Sequence, residues 1–189
     1  MSGDPAIRTS LLKIHAFSEE QLGVFMDKVT YRSVARKELL LKEDQVSDGI
    51  TFVLTGSFRF FKKIDDSELT IKFFVESNWM ADLESLLTQQ PSQGFIEAIE
   101  DSEIASITLL DIHGLMDTHP CFRMLNGLMA DLTISTSYLV TINSKSPDER
   151  YKELLSQHPQ WINRFPQMLI ASYLGMTPET LSRVRGRIR

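Results

Sequence analysis

The chain has 189 residues, enough for one medium-sized domain and a smaller one, and 42% of them are hydrophobic, which suffices for a packed core. No apolar run approaches the length of a transmembrane helix, and Met1–Pro5 has no signal-peptide pattern, so we expect a cytoplasmic protein without membrane contact. The single cysteine, Cys121, excludes an internal disulfide and a cysteine-ligated metal cluster.

Charge is distributed unevenly along the chain. Residues 146–189 hold seven basic and four acidic side chains, whereas the preceding residues hold thirteen basic and twenty-one acidic ones. An acidic body with a basic C-terminal part is typical of a chain that carries a separate nucleic-acid-binding module. The alternative is a solvated helix whose arginines complement its own dipole, and charge alone does not decide between them.

The hydrophobic period changes twice along the chain. Residues 5–28 indicate two short helices, the second beginning at a capping box that runs from Ser18 to Gln21. From residue 30 to 109 apolar and polar residues alternate, and Gly, Asp, Ser and Asn clusters interrupt the alternation at short intervals. Many short strands without helix-sized inserts predict an antiparallel sandwich or barrel rather than a parallel α/β sheet.

A helical period returns after residue 111. Leu125, Leu132 and Leu139 are spaced by seven, and Leu128, Ser135 and Ile142 each follow three residues later. This heptad pattern predicts a long helix over 119–145 that joins two copies of the chain through 119–143. The alternative is an ordinary core helix.

The C-terminal segment, 146–189, has the pattern of a helix-turn-helix. Ser146 and Pro147 predict a helix start and a domain boundary. Further on, Gly175 suits a tight turn, Thr177 can cap the next helix, and apolar residues stand where two crossing helices touch. These are Ile170, Ala171, Leu174, Met176, Leu181 and Val184. A plain helical hairpin is the alternative.

A helical projection of the last segment separates a buried face from a polar face. Leu181, Val184 and Ile188 share one side, with Arg185 near it, whereas Glu179, Arg183 and Gly186 lie opposite. Arginine can donate two hydrogen bonds to guanine, and a carboxylate can accept one from cytosine, although Glu179 and Arg183 could also pair with each other. We expect DNA contacts from Thr177, Glu179, Thr180, Ser182, Arg183 and Arg187, with Thr180 and Arg187 placed toward phosphates.

Residues 170–183 resemble the helix-turn-helix of the Crp/Fnr superfamily, whose recognition helix carries the Glu-Thr-x-x-Arg pattern found at Glu179, Thr180 and Arg183. Phe52–Arg59 is similar to the family's strand–glycine–strand signature. The resemblance implies an α+β fold with an antiparallel, jelly-roll-like β-roll sensor domain over 1–118. A dimerisation helix over 119–145 and a small all-α helix-turn-helix domain over 146–189 would follow. It also implies double-stranded DNA and a second copy as partners, with RNA polymerase as a further candidate.

Two segments depart from the family pattern. The cyclic-nucleotide members bind phosphate with Gly-Glu-Leu and a later Arg-Ser/Thr pair, and this chain has Ala81-Asp82-Leu83 and Ser92-Gln93 instead. Because a buried anion needs a charge partner or converging donors, we expect weak or no binding of cyclic AMP. The predicted pocket, for an unidentified ligand, is lined by Ala81, Asp82, Leu83, Ser92, Gln93, Ser137 and Tyr138. The family's β-hairpin wing has no counterpart before Arg189, so we expect no DNA contacts from a wing.

The sequence offers no other chemistry. None of the four histidines lies within 30–109, and no P-loop, Gly-x-Ser-x-Gly or dinucleotide motif is present. We therefore expect no catalytic residues, no metal and no cofactor. Two functions are left: a DNA-binding regulator, or a ligand-binding or protein-interaction module whose helix-turn-helix does not bind DNA.

Overall fold

The computed structural model describes residues 4–127 and 144–188. The chain divides into two compact units, the first formed by Met1–Phe60 and Phe73–Thr133 and the second by Phe61–Lys72 and Ile134–Arg189. Residues 128–143, which hold most of the predicted dimerisation helix, lie outside the described residues. The predicted domain boundaries and the dimer helix therefore stay predictions.

Two short helices open the first unit, as predicted. Helix α1 (Pro5–Ile14) begins at Asp4, whose carboxylate accepts from the Ala6 backbone N–H at 2.7 Å. Helix α2 (Glu19–Met26) begins at Ser18. The Ser18 and Gln21 side chains each accept from the other's backbone N–H, at 3.2 and 2.9 Å, which confirms the predicted capping box.

Eight strands follow and form two four-stranded sheets, which confirms the predicted α+β class and the antiparallel β-roll. The first sheet has the order β1-β8-β3-β6 and the second the order β2-β7-β4-β5. The strand bounds are β1 Thr30–Val34, β2 Leu39–Leu41, β3 Gly49–Thr55, β4 Ser57–Ile64, β5 Ser67–Val75, β6 Trp79–Met80, β7 Phe95–Ala98 and β8 Ser102–Thr108.

The first sheet buries its apolar face against helices. Strand β3 pairs antiparallel with β8, which sets Ile50 opposite Ile107 and Phe52 opposite Ala105. These residues and Trp79 form one core with the apolar faces of α1 and α2 and with helix α4 (Leu109–Thr118). Successive side chains of a strand point to opposite faces of the sheet. The apolar residues that alternate along the sequence therefore point into the core.

The segment that follows α4 differs from its predicted structure. Pro120–Gly127 is a 3-10 helix rather than the first turns of a long α-helix, and it packs against α4 and α1. Leu125, the first residue of the predicted heptad seam, is only 1% exposed and belongs to the core of the first unit. The seam assignment is wrong at this residue, because the tighter helix turns the side chain inward.

Four helices make up the described C-terminal part of the second unit. Helix α5 (Pro147–Gln157) begins after Ser146, as predicted, and Ser146 and Glu149 form a capping box there. Helix α6 (Trp161–Arg164) is a short helix between α5 and the helix-turn-helix pair. Helices α7 (Gln167–Tyr173) and α8 (Pro178–Arg187) are the predicted helix-turn-helix pair.

Candidate functional site

The residues at the start of α8 stabilise the N-terminus of the helix. The Thr177 hydroxyl accepts from the Thr180 backbone N–H at 3.2 Å, and Pro178 occupies the first helical position. Both features satisfy what a helix N-terminus needs, since a cap replaces a missing hydrogen bond and proline lacks an N–H to leave unpaired. The predicted cap is confirmed.

The turn between α7 and α8 requires a left-handed residue and has one. Gly175 has φ +58°, a conformation that glycine adopts without steric cost. The Met176 backbone N–H donates to the Ala171 carbonyl at 3.0 Å and closes the turn. The Arg150 guanidinium of α5 donates to the Leu174 carbonyl, and to the Gly175 carbonyl at 3.2 Å, so α5 braces the turn from outside.

The apolar residues of the helix pair face inward as predicted. Ile170, Ala171, Leu174, Leu181 and Val184 are buried, and Tyr151 and Leu154 of α5 are buried in the same unit. Met176, Ile188 and Arg185 are half-buried. Because Leu181 and Val184 fix the rotation of α8, they also determine which of its side chains reach solvent.

The predicted DNA-contacting side chains lie on the opposite, exposed face of α8. Thr180 is half-buried, and the others are exposed: Thr177, Glu179, Ser182, Arg183 and Arg187. The Arg183 guanidinium donates to the Thr180 hydroxyl at 3.2 Å. The pKa of Glu179 is lowered by hydrogen bonds from its own backbone N–H and from Thr177, and then by the charge of Arg183. The face therefore presents a carboxylate acceptor beside a guanidinium donor.

Arg187 has a partner that the sequence did not predict. Its Nη2 lies 2.9 Å from both carboxylate oxygens of Asp148, and its Nε lies 3.3 Å from Oδ1. The two residues are 39 positions apart, on α8 and α5. No periodicity or motif links residues at such a separation, so only the structure could show this ion pair.

The predicted ligand-binding segment holds several of its polar groups in internal hydrogen bonds. Ala81, Asp82 and Ser92 are buried, Leu83 is half-buried and Gln93 is exposed. The Asp82 carboxylate caps the short helix α3 (Leu83–Thr88) by accepting from the Ser85 N–H at 3.4 Å. Ser137 and Tyr138, the other predicted lining residues, lie outside the described residues.

Two buried serines close this segment onto its neighbours. The Ser85 hydroxyl accepts from the Ser47 N–H at 3.0 Å and donates to the Gln90 carbonyl at 2.6 Å. The Ser92 N–H donates to the Gln45 carbonyl at 2.8 Å. The sequence singled out Ser92 but missed Ser85 and Ser47, because nothing in their spacing marks them as a pair.

A buried ion pair in the roll was also missed. Arg59, 5% exposed, donates from Nε and Nη2 to one Glu97 oxygen at 2.7 and 2.6 Å. Arg59 and Glu97 stand on β4 and β7, which the second sheet orders as neighbours. Alternation placed both residues in strands but could not show that their side chains meet.

Within 4–127 and 144–188, no group of three His, Cys, Asp or Glu side chains is arranged to hold a metal ion. Over those same ranges, no helix is long and apolar enough to cross a membrane.

Comparison with known protein families finds a match for one part of the chain. Residues 31–119 match the family model for the cyclic nucleotide-binding domain. Among curated protein sequences, none matches this chain.

Solved structures share the fold over most of the chain. FixK2 from Bradyrhizobium japonicum is 19% identical, with a TM-score of 0.68 over 85% of this chain and 84% of its own. A CooA mutant from Carboxydothermus hydrogenoformans is 16% identical, with a TM-score of 0.69 over 95% and 82%. The c-di-GMP responsive global regulator CLP of Xanthomonas campestris is 14% identical, with a TM-score of 0.68 over 90% and 91%. The chain therefore shares its fold with these proteins over most of its length, and the fold that the sequence resemblance implied is confirmed.

Proposed function

We propose that the chain is a DNA-binding transcription regulator of the Crp/Fnr type that acts in the cytoplasm. The exposed face of α8 carries this proposal. Arg183 and Glu179 project on the side opposite the buried Leu181 and Val184, and together they offer the donors and the acceptor that read base edges in a major groove. The hydroxyls of Thr177, Thr180 and Ser182 beside them are suited to phosphate oxygens.

The effector is a small ligand other than cyclic AMP. The segment around Ser85 and Ser92 already uses its hydroxyls and the Ser92 N–H in internal hydrogen bonds, and Ser92 stands where cyclic-nucleotide members have an arginine. A phosphate would have to break these bonds without gaining a guanidinium, which is unfavourable for a buried anion. Isothermal calorimetry should show no cyclic AMP binding with a Kd below about 1 µM.

Calorimetry should also include cyclic di-GMP, because CLP is described as responsive to it. A cyclic AMP Kd well below about 1 µM would contradict the proposed reading of the segment around Ser92.

The regulator acts as a homodimer, and RNA polymerase is a candidate further partner. Symmetric helical readers bind two half-sites about one DNA turn apart, which a dimer can span. Light scattering at micromolar concentration should give twice the chain mass of 21.6 kDa. A mass of one chain would contradict the dimer.

Fluorescence anisotropy with a random-sequence duplex over a series of salt concentrations tests DNA binding. Log affinity should fall linearly with log salt, with a slope of about −0.9 for each phosphate contacted. Arg183→Gln should weaken binding, and Lys13→Gln, the same charge change at an exposed position of α1, should not. Absence of binding at low salt would favour the interaction module.

A further inference from the structure

The ion pair between Arg187 and Asp148 occupies a side chain that the proposed DNA interface needs. The Arg187 guanidinium spans both oxygens of the carboxylate, with Nη2 at 2.9 Å from each. Arginine binds a phosphate with the same paired N–H groups. While the Arg187 guanidinium is paired with Asp148, its N–H donors are therefore not available to a phosphate.

Arg187 stands where a phosphate contact is expected. It follows Arg183 by four residues on α8, so the two side chains emerge from neighbouring positions on the same side of the helix. If Arg183 reaches base edges, Arg187 lies one turn further along, beside the strand that borders the groove. Helix α8 therefore places Arg183 where it can contact bases and Arg187 where it can contact a DNA phosphate.

The pair is open enough to be broken. The Arg187 side chain is 60% exposed and that of Asp148 is 40% exposed. Exposed ion pairs are weak, because water and salt screen both charges. A phosphate that releases a condensed counterion when it meets an arginine can therefore displace the carboxylate.

We infer that Asp148 is an intramolecular competitor for the DNA backbone. Its carboxylate holds Arg187 in the free protein, and the guanidinium leaves it for a DNA phosphate when the helix enters the groove. This inference rests on the proposed function and adds to it a residue outside α8 that lowers affinity for every DNA sequence alike. Because this cost is the same for every sequence, Asp148 lowers the affinity for DNA without changing the preference for one sequence over another.

A double-mutant cycle tests the inference in the full chain. Asp148→Asn removes the charge and keeps the size of the side chain. It should tighten binding to a random duplex by about two- to fivefold at low salt, which is the range expected for loss of one exposed ion pair. The affinity should also fall more steeply with salt, because in the unaltered protein salt weakens the competing ion pair and so offsets part of the loss.

The Arg187→Gln background is the matched control. In that background Asp148→Asn should leave the affinity for DNA unchanged, because the Asp148 carboxylate has no guanidinium to bind. An equal gain in both backgrounds would mean that Asp148 repels DNA by its charge alone, and a loss of affinity would mean that it positions α8; either result overturns the inference. Urea unfolding of each variant ensures that the proteins compared are folded.

The unaltered protein separates this inference from the proposed function. If it binds no duplex at low salt, both are overturned. If it binds but the two substitutions act independently, the proposed function stands and only the competitor role of Asp148 is lost.

Discussion

The hydroxyl of Ser172 on α7 and the backbone of Thr70 on β5 are hydrogen-bonded within the second unit. Ser172 Oγ accepts from the Thr70 N–H at 2.8 Å and donates to the Glu68 carbonyl at 2.7 Å. The residues are 102 positions apart along the chain. The Ser172 side chain thus joins the segment Phe61–Lys72, which connects β4 and β5, to the first helix of the helix-turn-helix pair by hydrogen bonds.

Removal of the Ser172 hydroxyl should therefore destabilise the second unit. Ser172→Ala leaves the Thr70 N–H and the Glu68 carbonyl without this partner, which should lower the free energy of unfolding by about 1–2 kcal/mol. Urea unfolding followed by circular dichroism measures the loss. Ser182→Ala, the same change at an exposed position of α8, reports the gain in helix propensity that both variants share. Equal stabilities of the two variants would contradict the role of the hydroxyl.

The hydrogen bonds from Arg150 to the turn between α7 and α8 should increase both the stability of the second unit and its affinity for DNA. Arg150→Met removes the donors to the Leu174 and Gly175 carbonyls, and hydrogen bonds from a charged donor contribute about 1.5–3 kcal/mol. We expect a loss of that size in unfolding free energy and weaker binding to every duplex, because the turn sets the direction of α8.

The control for Arg150 keeps the charge. Arg150→Lys should restore only part of the stability, because a single ammonium cannot reproduce the fork of a guanidinium. Full recovery with lysine would show that the charge of Arg150, rather than its geometry, supports the turn.

His158 should make the second unit less stable in mild acid. Its ring stacks on Trp161 with centroids 3.9 Å apart, and burial lowers the pKa of His158. A lowered pKa means that the unfolded chain binds the proton more readily, so stability is complete above the ordinary histidine pKa of about 6.5 and declines as the pH falls below it. Unfolding midpoints at several pH values should show this decline.

His158→Phe keeps the aromatic stack without a titrating group and serves as the control. It should flatten the pH dependence between pH 7.5 and 5.5 by roughly the part that His158 contributes. Tryptophan emission gives a second readout, because a protonated imidazole in contact quenches the indole. An unchanged pH profile in the variant would assign the decline to other groups.

The parts of the fold that depend on near neighbours could be predicted from the sequence. The caps at Ser18, Ser146 and Thr177 and the left-handed turn at Gly175 each involve residues within a few positions, so their chemistry is visible in the sequence. The exposed and buried faces of α8 followed from its helical period in the same way.

The contacts that the sequence could not supply join distant segments. Asp148 meets Arg187 and Ser172 meets Thr70 only because the chain folds back on itself. The 3-10 helix at Pro120–Gly127 has apolar spacing that also suits an α-helix, and its packing against α4 decides which forms. There, tertiary packing rather than the local helix preference of the residues determines the type of helix.

The two arginines of α8 should contact different parts of DNA. Arg183 lies on the face opposite Leu181 and Val184 and is exposed, whereas Arg187 lies one turn later and pairs with Asp148. Replacing Arg183 by Ala should cost about 1–3 kcal/mol on the preferred site and relax specificity at one base pair. Replacing Arg187 by Ala should weaken all sequences alike and reduce the salt slope by about one.

Selection from a randomised duplex library, followed by anisotropy on the selected site and on single-base variants, measures both effects. The two variants are controls for each other, because each removes one positive charge from the same exposed face. If Arg187→Ala changed the preferred base and Arg183→Ala acted uniformly, α8 would enter the groove rotated from the orientation that its buried residues indicate. Since Leu181 and Val184 fix that rotation, such a result would also require the helix pair to repack on DNA.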